Sequence, residues 1–115
     1  MRCSLILILA GLFFLCPLTC FAGQAKTASV TAENTFTAGI LIHEHGVVRV
    51  SGTWVGTVSL QRSEDGGTTW YDTGDTWTSN GVYSFTDYSN QYYRVGVKTG
   101  GYTSGTVGLW IGDSQ

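Results

Sequence analysis

Proline and cysteine are almost missing from this chain, and the few present are all in one place. The 115 residues include one Pro and three Cys, and Cys3, Cys16, Pro17 and Cys20 all fall within residues 1–22. The remainder has no thiol for a zinc finger, an iron–sulfur site, a disulfide framework or nucleophilic catalysis. Charge is equally sparse. Charged residues make up 12% of the chain, and six Lys+Arg against eight Asp+Glu leave a formal net charge of −2. Glu and Lys are too few for a helical bundle or a coiled coil. A basic footprint for nucleic acid is missing as well. What the chain does have is 16 Gly, 16 Thr, four Trp, six Tyr and five Phe. Thr, Val and aromatic rings suit a pleated, half-buried surface, and Gly with Asn and Asp supplies turns. The length suits one domain. The composition makes it all-β.

The first 22 residues are of a different kind. Arg2 gives a small positive start, residues 5–16 are an unbroken apolar run, and Pro17 breaks any helix there. Cys20-Phe21-Ala22 then offers small residues for cleavage before Gly23. This pattern predicts a signal peptide over 1–22 and an exported domain, periplasmic or extracellular. The alternative is a retained apolar helix as a membrane anchor, whose run is at the short end of the roughly 20 residues a bilayer needs.

Residues 23–33 (GQAKTASVTAE) are small and polar with little periodicity, and read as a linker. Residues 34–115 read as the folded domain. Alternating runs at 35–43, 47–51, 57–62, 69–73, 81–86, 92–98 and 106–111 are punctuated by turn signals. These signals are His45-Gly46, Gly52, Asp65-Gly66-Gly67, Gly74-Asp75, Asn80-Gly81, Ser89-Asn90 and Gly100-Gly101. Seven to eight short strands predict a single small antiparallel β-sandwich, Ig-like or jelly-roll-like. Period-2 parity puts Val48, Val50, Val58, Leu60, Tyr83, Phe85, Tyr93, Val95, Val97, Val107, Leu109 and Ile111 inside. Arg49, Ser59, Gln61, Ser84, Arg94 and Lys98 then face solvent. Trp110 takes the outward parity of the last run, which reads as an edge strand.

Ser63-Glu64-Asp65-Gly66-Gly67-Thr68-Thr69-Trp70 is the sharpest motif. It resembles the Asp-box of sialidase-type β-propellers, S-x-D-x-G-x-T-W. Gly66 and Gly67 accept positive φ in a tight turn. The Asp65 carboxylate can accept N–H bonds within it, and Trp70 is expected to fold over the loop into the core. A propeller needs at least four blades, and this chain is too short for them. The motif, with Ser63, Asp65, Gly66, Gly67 and Trp70, is therefore read as a structural turn.

Nothing in the sequence marks catalysis. His43 and His45 fall on one side of a strand, but no third metal ligand is indicated, and Gly46 suggests a turn at His45. Asp72, Asp75 and Asp87 sit at run ends, where Asp is a routine turn residue. No activated nucleophile with a base and an orienter is visible. No catalytic residue, metal or cofactor is assigned. The aromatic residues say more. Trp54, Tyr71, Trp77, Tyr88, Tyr92, Tyr102 and Trp110 exceed what so small a core needs, although some would cover open sheet ends. Trp110, Tyr102, Tyr92, Trp54 and Trp77 are the candidate interface residues, with Trp110 first and Tyr102 or Tyr92 beside it.

Three segments carry a wider resemblance: Val50-Ser51-Gly52-Thr53-Trp54-Val55-Gly56-Thr57-Val58-Ser59-Leu60-Gln61-Arg62-Ser63, Asp65-Gly66-Gly67-Thr68-Thr69-Trp70, and Tyr93-Arg94-Val95-Gly96-Val97-Lys98-Thr99-Gly100-Gly101-Tyr102-Thr103-Ser104-Gly105-Thr106-Val107. Together they resemble the small β-sandwich proteins associated with virions of tailed phages and prophages. The resemblance implies a non-enzymatic structural or assembly module, a decoration or tail-associated protein that contacts other particle subunits or itself, located in the virion. The leader supports a second reading, an exported binding module for a glycan or another cell-surface ligand. Neither reading involves nucleic acid, and membrane contact enters only through a retained leader.

Overall fold

The computed structural model describes residues 24–114. The leader and its cleavage site lie outside the described residues. Within them the chain is all-β: β1 (Ala25–Val30), β2 (Thr35–Phe36), β3 (Ile40–Leu41), β4 (Glu44–Gly56), β5 (Val58–Ser63), β6 (Tyr71–Trp77), β7 (Gly81–Asp87), β8 (Tyr92–Val97) and β9 (Tyr102–Asp113). Every strand pair is antiparallel. One sheet runs β1-β9-β4-β7, and the other runs β2-β8-β5-β6 with β3 also on β8. The expected small antiparallel sandwich is therefore the fold. Its core follows the parity reading: Val48, Val50, Val58, Leu60, Tyr93, Val95, Val97, Val107, Leu109 and Ile111 are buried, with Tyr83 and Phe85 packed against them.

The departures share one cause, which is that pairing with distant strands outweighs local signals. Residues 25–30 are not linker but β1, in register with β9 from Ala25↔Gly112 to Val30↔Val107. Their Ala, Thr and Ser propensities are weak, and the long β9 supplies the partner. The domain thus begins before residue 34. The expected turns at His45-Gly46 and Gly52 lie inside the 13-residue β4. Gly46 is there because the Phe85 ring covers it, so that a Cβ would fall 2.3 Å from that ring's Cζ. Gly52 has φ +98° and lies hard against the Thr106 carbonyl. Gly74-Asp75 likewise sits within β6, where the pairing with β5 shifts register.

Two residues assigned to solvent are buried. Ser59 is in register with Gly96, over which the Phe36 ring lies. Gln61 is covered by polar neighbours, accepting from Arg94 Nε at 2.8 Å and donating to Asp72 Oδ1 at 2.9 Å. Lys98 Nζ reaches the other oxygen of Asp72 at 2.7 Å. The outer face of the second sheet is thus roofed by long side chains and not bare. The last strand is not an edge either, because β9 lies between β1 and β4.

Candidate functional site

The outer face of the first sheet is the more open one. β4 and β9 place Arg49 opposite Trp110. Alternation turns both outward, since Val48, Val50, Leu109 and Ile111 fill the core. The Arg49 guanidinium carbon stands 4.2 Å from the centre of the Trp110 ring, a cation–π contact. The indole also lies across Gly112, where a Cβ would come within 2.2 Å of its Cη2. Gly108 leaves a second gap, bordered by the Ser51 hydroxyl. The result is a shallow groove of about 510 Å³ lined by Ala28, Arg49, Ser51, Val82, Gly108 and Trp110, among others. Val82 at its margin is 70% exposed. A flat ring, one cation, one hydroxyl and the exposed Val82 suit stacking and packing. They do not form an acid–base pair.

The structure does not gather the other candidate aromatics around Trp110. Trp54, Trp77 and Tyr102 turn inward and pack against the core. Trp54 Nε1 donates to Asn80 Oδ1 at 2.7 Å, and Asn80 Nδ2 donates to the Gly52 carbonyl. Trp77 stacks on Tyr83 with centroids 4.7 Å apart, and the Tyr102 hydroxyl donates to the Gly105 carbonyl. These three close one end of the sandwich. Tyr92 is half-buried on β8, in the other sheet. The pairing of Trp110 with Tyr102 or Tyr92 is corrected accordingly: Arg49 is its neighbour. The most exposed rings are Tyr71 and Tyr88.

The Ser63–Trp70 loop is held by its own side chains. Asp65 Oδ1 accepts from the N–H groups of Thr68 and Thr69 at 3.0 and 2.8 Å and from the Ser63 hydroxyl at 2.7 Å. Ser63 Oγ in turn accepts the Gly67 N–H at 2.8 Å. The Thr69 N–H, followed by the Ser63 hydroxyl, holds the Asp65 carboxyl well below the usual carboxylate range. Gly66 and Gly67 take φ of +77° and +103°. Trp70 folds back as expected but not into the core. It lies across Gly39 on the outside of the second sheet, and Arg94 is held near both it and Phe36, at 4.6 and 4.0 Å from the ring centres. Burial there lowers the Arg94 pKa.

A second groove, about 410 Å³, opens between the β6 and β7 edges and includes Arg62, Glu64, Tyr71, Asp72, Asp75 and Asp87 in its lining. Its floor holds a network that the sequence reading missed. Asp87 accepts from Arg62 Nε and Ser89 N at 2.8 Å each, and from the Ser89 and Tyr93 hydroxyls. Burial acts to raise the Asp87 pKa, but hydrogen bonds from Ser89, Tyr93 and Arg62 outweigh it and hold the carboxyl far below its ordinary range. Burial, then Asp87, pushes the Tyr93 phenol upward. Four donors thus converge on one carboxylate, about the number its two oxygens can accept. The only local signal was the Asp87-Tyr88-Ser89 turn, because the other partners come from β5 and β8.

His43 points to Asp113, with Nδ1 2.6 Å from Oδ2. The chain reverses at Glu44 and not at His45: Glu44 has φ +77°, and the His45 N–H donates to the His43 carbonyl at 2.8 Å. That is a γ-turn of the rare, strained hand. Among the described residues no group of three or more His, Cys, Asp or Glu side chains is arranged to hold a metal ion. No buried side-chain nitrogen or oxygen among them lacks a partner. The chain matches no protein-family model, no curated protein and no solved structure.

Proposed function

We propose that this chain is a non-enzymatic structural and assembly module, of the kind its sequence resembles among virion decoration and tail-associated proteins. Its outer β1-β9-β4-β7 face docks on another protein subunit. The observation that carries this reading is the Arg49–Trp110 platform, a partly buried indole held flat between a cation and a glycine in a shallow groove. Aromatic and Arg side chains of this sort dominate the energetics of protein interfaces. Asp72 and Asp87 in the second groove support the same reading, because their hydrogen bonds go to structural partners.

Trp110→Ser tests it. The variant should keep its circular-dichroism spectrum and lose about 2 kcal/mol of affinity for its partner subunit, the scale of an aromatic hot spot. Recovery of the chain from purified particles with Met1 intact, by mass spectrometry, would support the virion location. Loss of the fold in Trp110→Ser, with no folded form left to dissociate, would refute the platform.

A second reading draws on the same indole. A flat ring flanked by Arg49 and Ser51 also suits the apolar face of a sugar, with the two polar groups reaching its hydroxyls. Export is the premise of this reading, so a first residue of Gly23 in the secreted protein, with glycan binding lost in Trp110→Ser, would favour it over assembly.

A further inference from the structure

The sandwich leaves strand edges open, and most of them are protected. β6 carries Asp72 and Asp75, has Gly74 at φ +98°, and shifts register against β5. β1 carries Lys26. β2 and β3 are two residues each. Charge, irregularity and shortness are the usual devices that keep an edge from pairing with another chain. β7 has only one charge, Asp87 at its last position. It runs Gly-Val-Tyr-Ser-Phe-Thr-Asp, pairs with β4 over seven consecutive positions without a shift, and is uncharged until Asp87. Its other edge makes no backbone hydrogen bond among the described residues.

The strand is also nearly symmetric about its centre. An antiparallel pair of β7 strands from two copies, with the two-fold axis at Ser84, sets Ser84 opposite Ser84 of the second copy. Tyr83 then meets Phe85 of the second copy on the inner face, and Val82 meets Thr86 on the outer face. Aromatic–aromatic and β-branched pairs are the favourable cross-strand combinations. The single charge at each end, Asp87, falls opposite uncharged Gly81. Val82, Ser84 and Thr86 are exposed as the domain stands, so the outward positions of the strand are open to a partner. We infer that β7 pairs with β7 of a second copy, making the first sheets of two domains one continuous sheet.

This inference rests on the reading of the chain as an assembly module and names its partner as the chain itself. The pairing also doubles the docking face, since a Trp110 platform from each copy then lies on the same side of one sheet. Two strands bury little area, so the association is weak and concentration-dependent.

Sedimentation of the purified protein up to about 1 mM, where even a weak contact is populated, should show a monomer–dimer equilibrium. Ser84→Lys and Ser84→Glu place like charges at the axis, and each should weaken the dimer by about a hundredfold. Mixing the two variants in equal amounts should restore it. On the unaltered protein, hydrogen exchange should show β7 amides gaining protection as concentration rises, a readout that needs no variant to fold. A monomer at every concentration, or folded charge variants that fail to recover on mixing, would overturn the pairing. So would a dimer that survives Ser84→Lys. If that surviving dimer is dissolved by Trp110→Ser, the β7 pairing falls while assembly through the outer face stands.

Discussion

Arg62 on β5 donates through Nε to Asp87 Oδ2 at the end of β7, 2.8 Å away, and so ties one sheet to the other. The Asp87 side chain is 9% exposed against 30% for Arg62. The carboxylate is therefore the buried partner and the guanidinium its link to solvent. Removing Asp87 leaves Arg62 paired with Glu64 but strands the hydroxyl of Tyr93, which is itself buried. Asp87→Ala should cost about 1–3 kcal/mol, the range for a buried donor left unsatisfied. Tyr93→Phe removes one hydrogen bond and should cost about 1–1.5 kcal/mol. Urea unfolding of both variants and of the double variant decides it, because additive losses would mean that the two do not share the network.

Acid should find the same carboxylates. Asp65, Asp72 and Asp87 are all held below the ordinary carboxylate value of 3.8. Thr69 and Ser63 lead at Asp65, Lys98 and Gln61 lower Asp72, and the Ser89, Tyr93 and Arg62 bonds outweigh burial at Asp87. A depressed folded-state pKa means that the unfolded chain binds protons first as pH falls. The stabilisation is complete above the unfolded value and is lost as pH drops toward the folded one. Stability should therefore be level above about pH 5 and fall steadily below about pH 4. Asp65→Asn should flatten part of that slope, as read from urea midpoints between pH 6 and 2. A slope unaltered by Asp65→Asn would remove this carboxylate from the account.

The core was legible in the sequence because alternation in strands is a local code. Val48, Val50, Val95, Val97, Leu109 and Ile111 sit where parity puts them. The Ser63–Thr69 loop was legible for the same reason, since its partners lie within four residues of one another. What stayed hidden depends on contacts between distant residues. Ala28 and Val30 look like linker until β9 is beside them. Gly46 reads as a turn until Phe85, 39 positions on, is seen to need the space. Trp54 and Tyr102 read as surface rings because alternation cannot say that β4 and β9 extend to their far end. Asp87 has its partners on other strands, so only its turn with Ser89 could be read locally.

Glu44 offers a test of backbone strain. A non-glycine residue at φ +77° in a γ-turn carries a cost of about 1–3 kcal/mol. Glycine takes this conformation freely but loses about 0.5–1 kcal/mol in chain entropy. Glu44→Gly should therefore match or exceed the parent in stability, while Glu44→Ala gains nothing. Thermal melts of the pair check this, and a Glu44→Gly variant less stable than Glu44→Ala would show that the side chain contributes more than the strain costs.

Gly112 and Gly108 flank Trp110 and should respond differently to the same substitution. At Gly112 a Cβ would meet the indole at 2.2 Å, with further ring carbons at 2.8 Å. The ring is rigid, so it has to swing off the sheet and away from Arg49. At Gly108 the nearest atom to an added Cβ is the Ser51 hydroxyl at 2.6 Å, and a rotamer change clears it. Gly112→Ala should therefore shift the indole N–H resonance of Trp110, assigned by its disappearance in Trp110→Phe, and weaken partner binding. Gly108→Ala should leave that resonance almost where it was. Both variants should stay folded, since the groove is outside the core. If Gly112→Ala leaves the resonance in place, the indole does not rest on Gly112 in solution, and the flat platform on which docking depends is not formed.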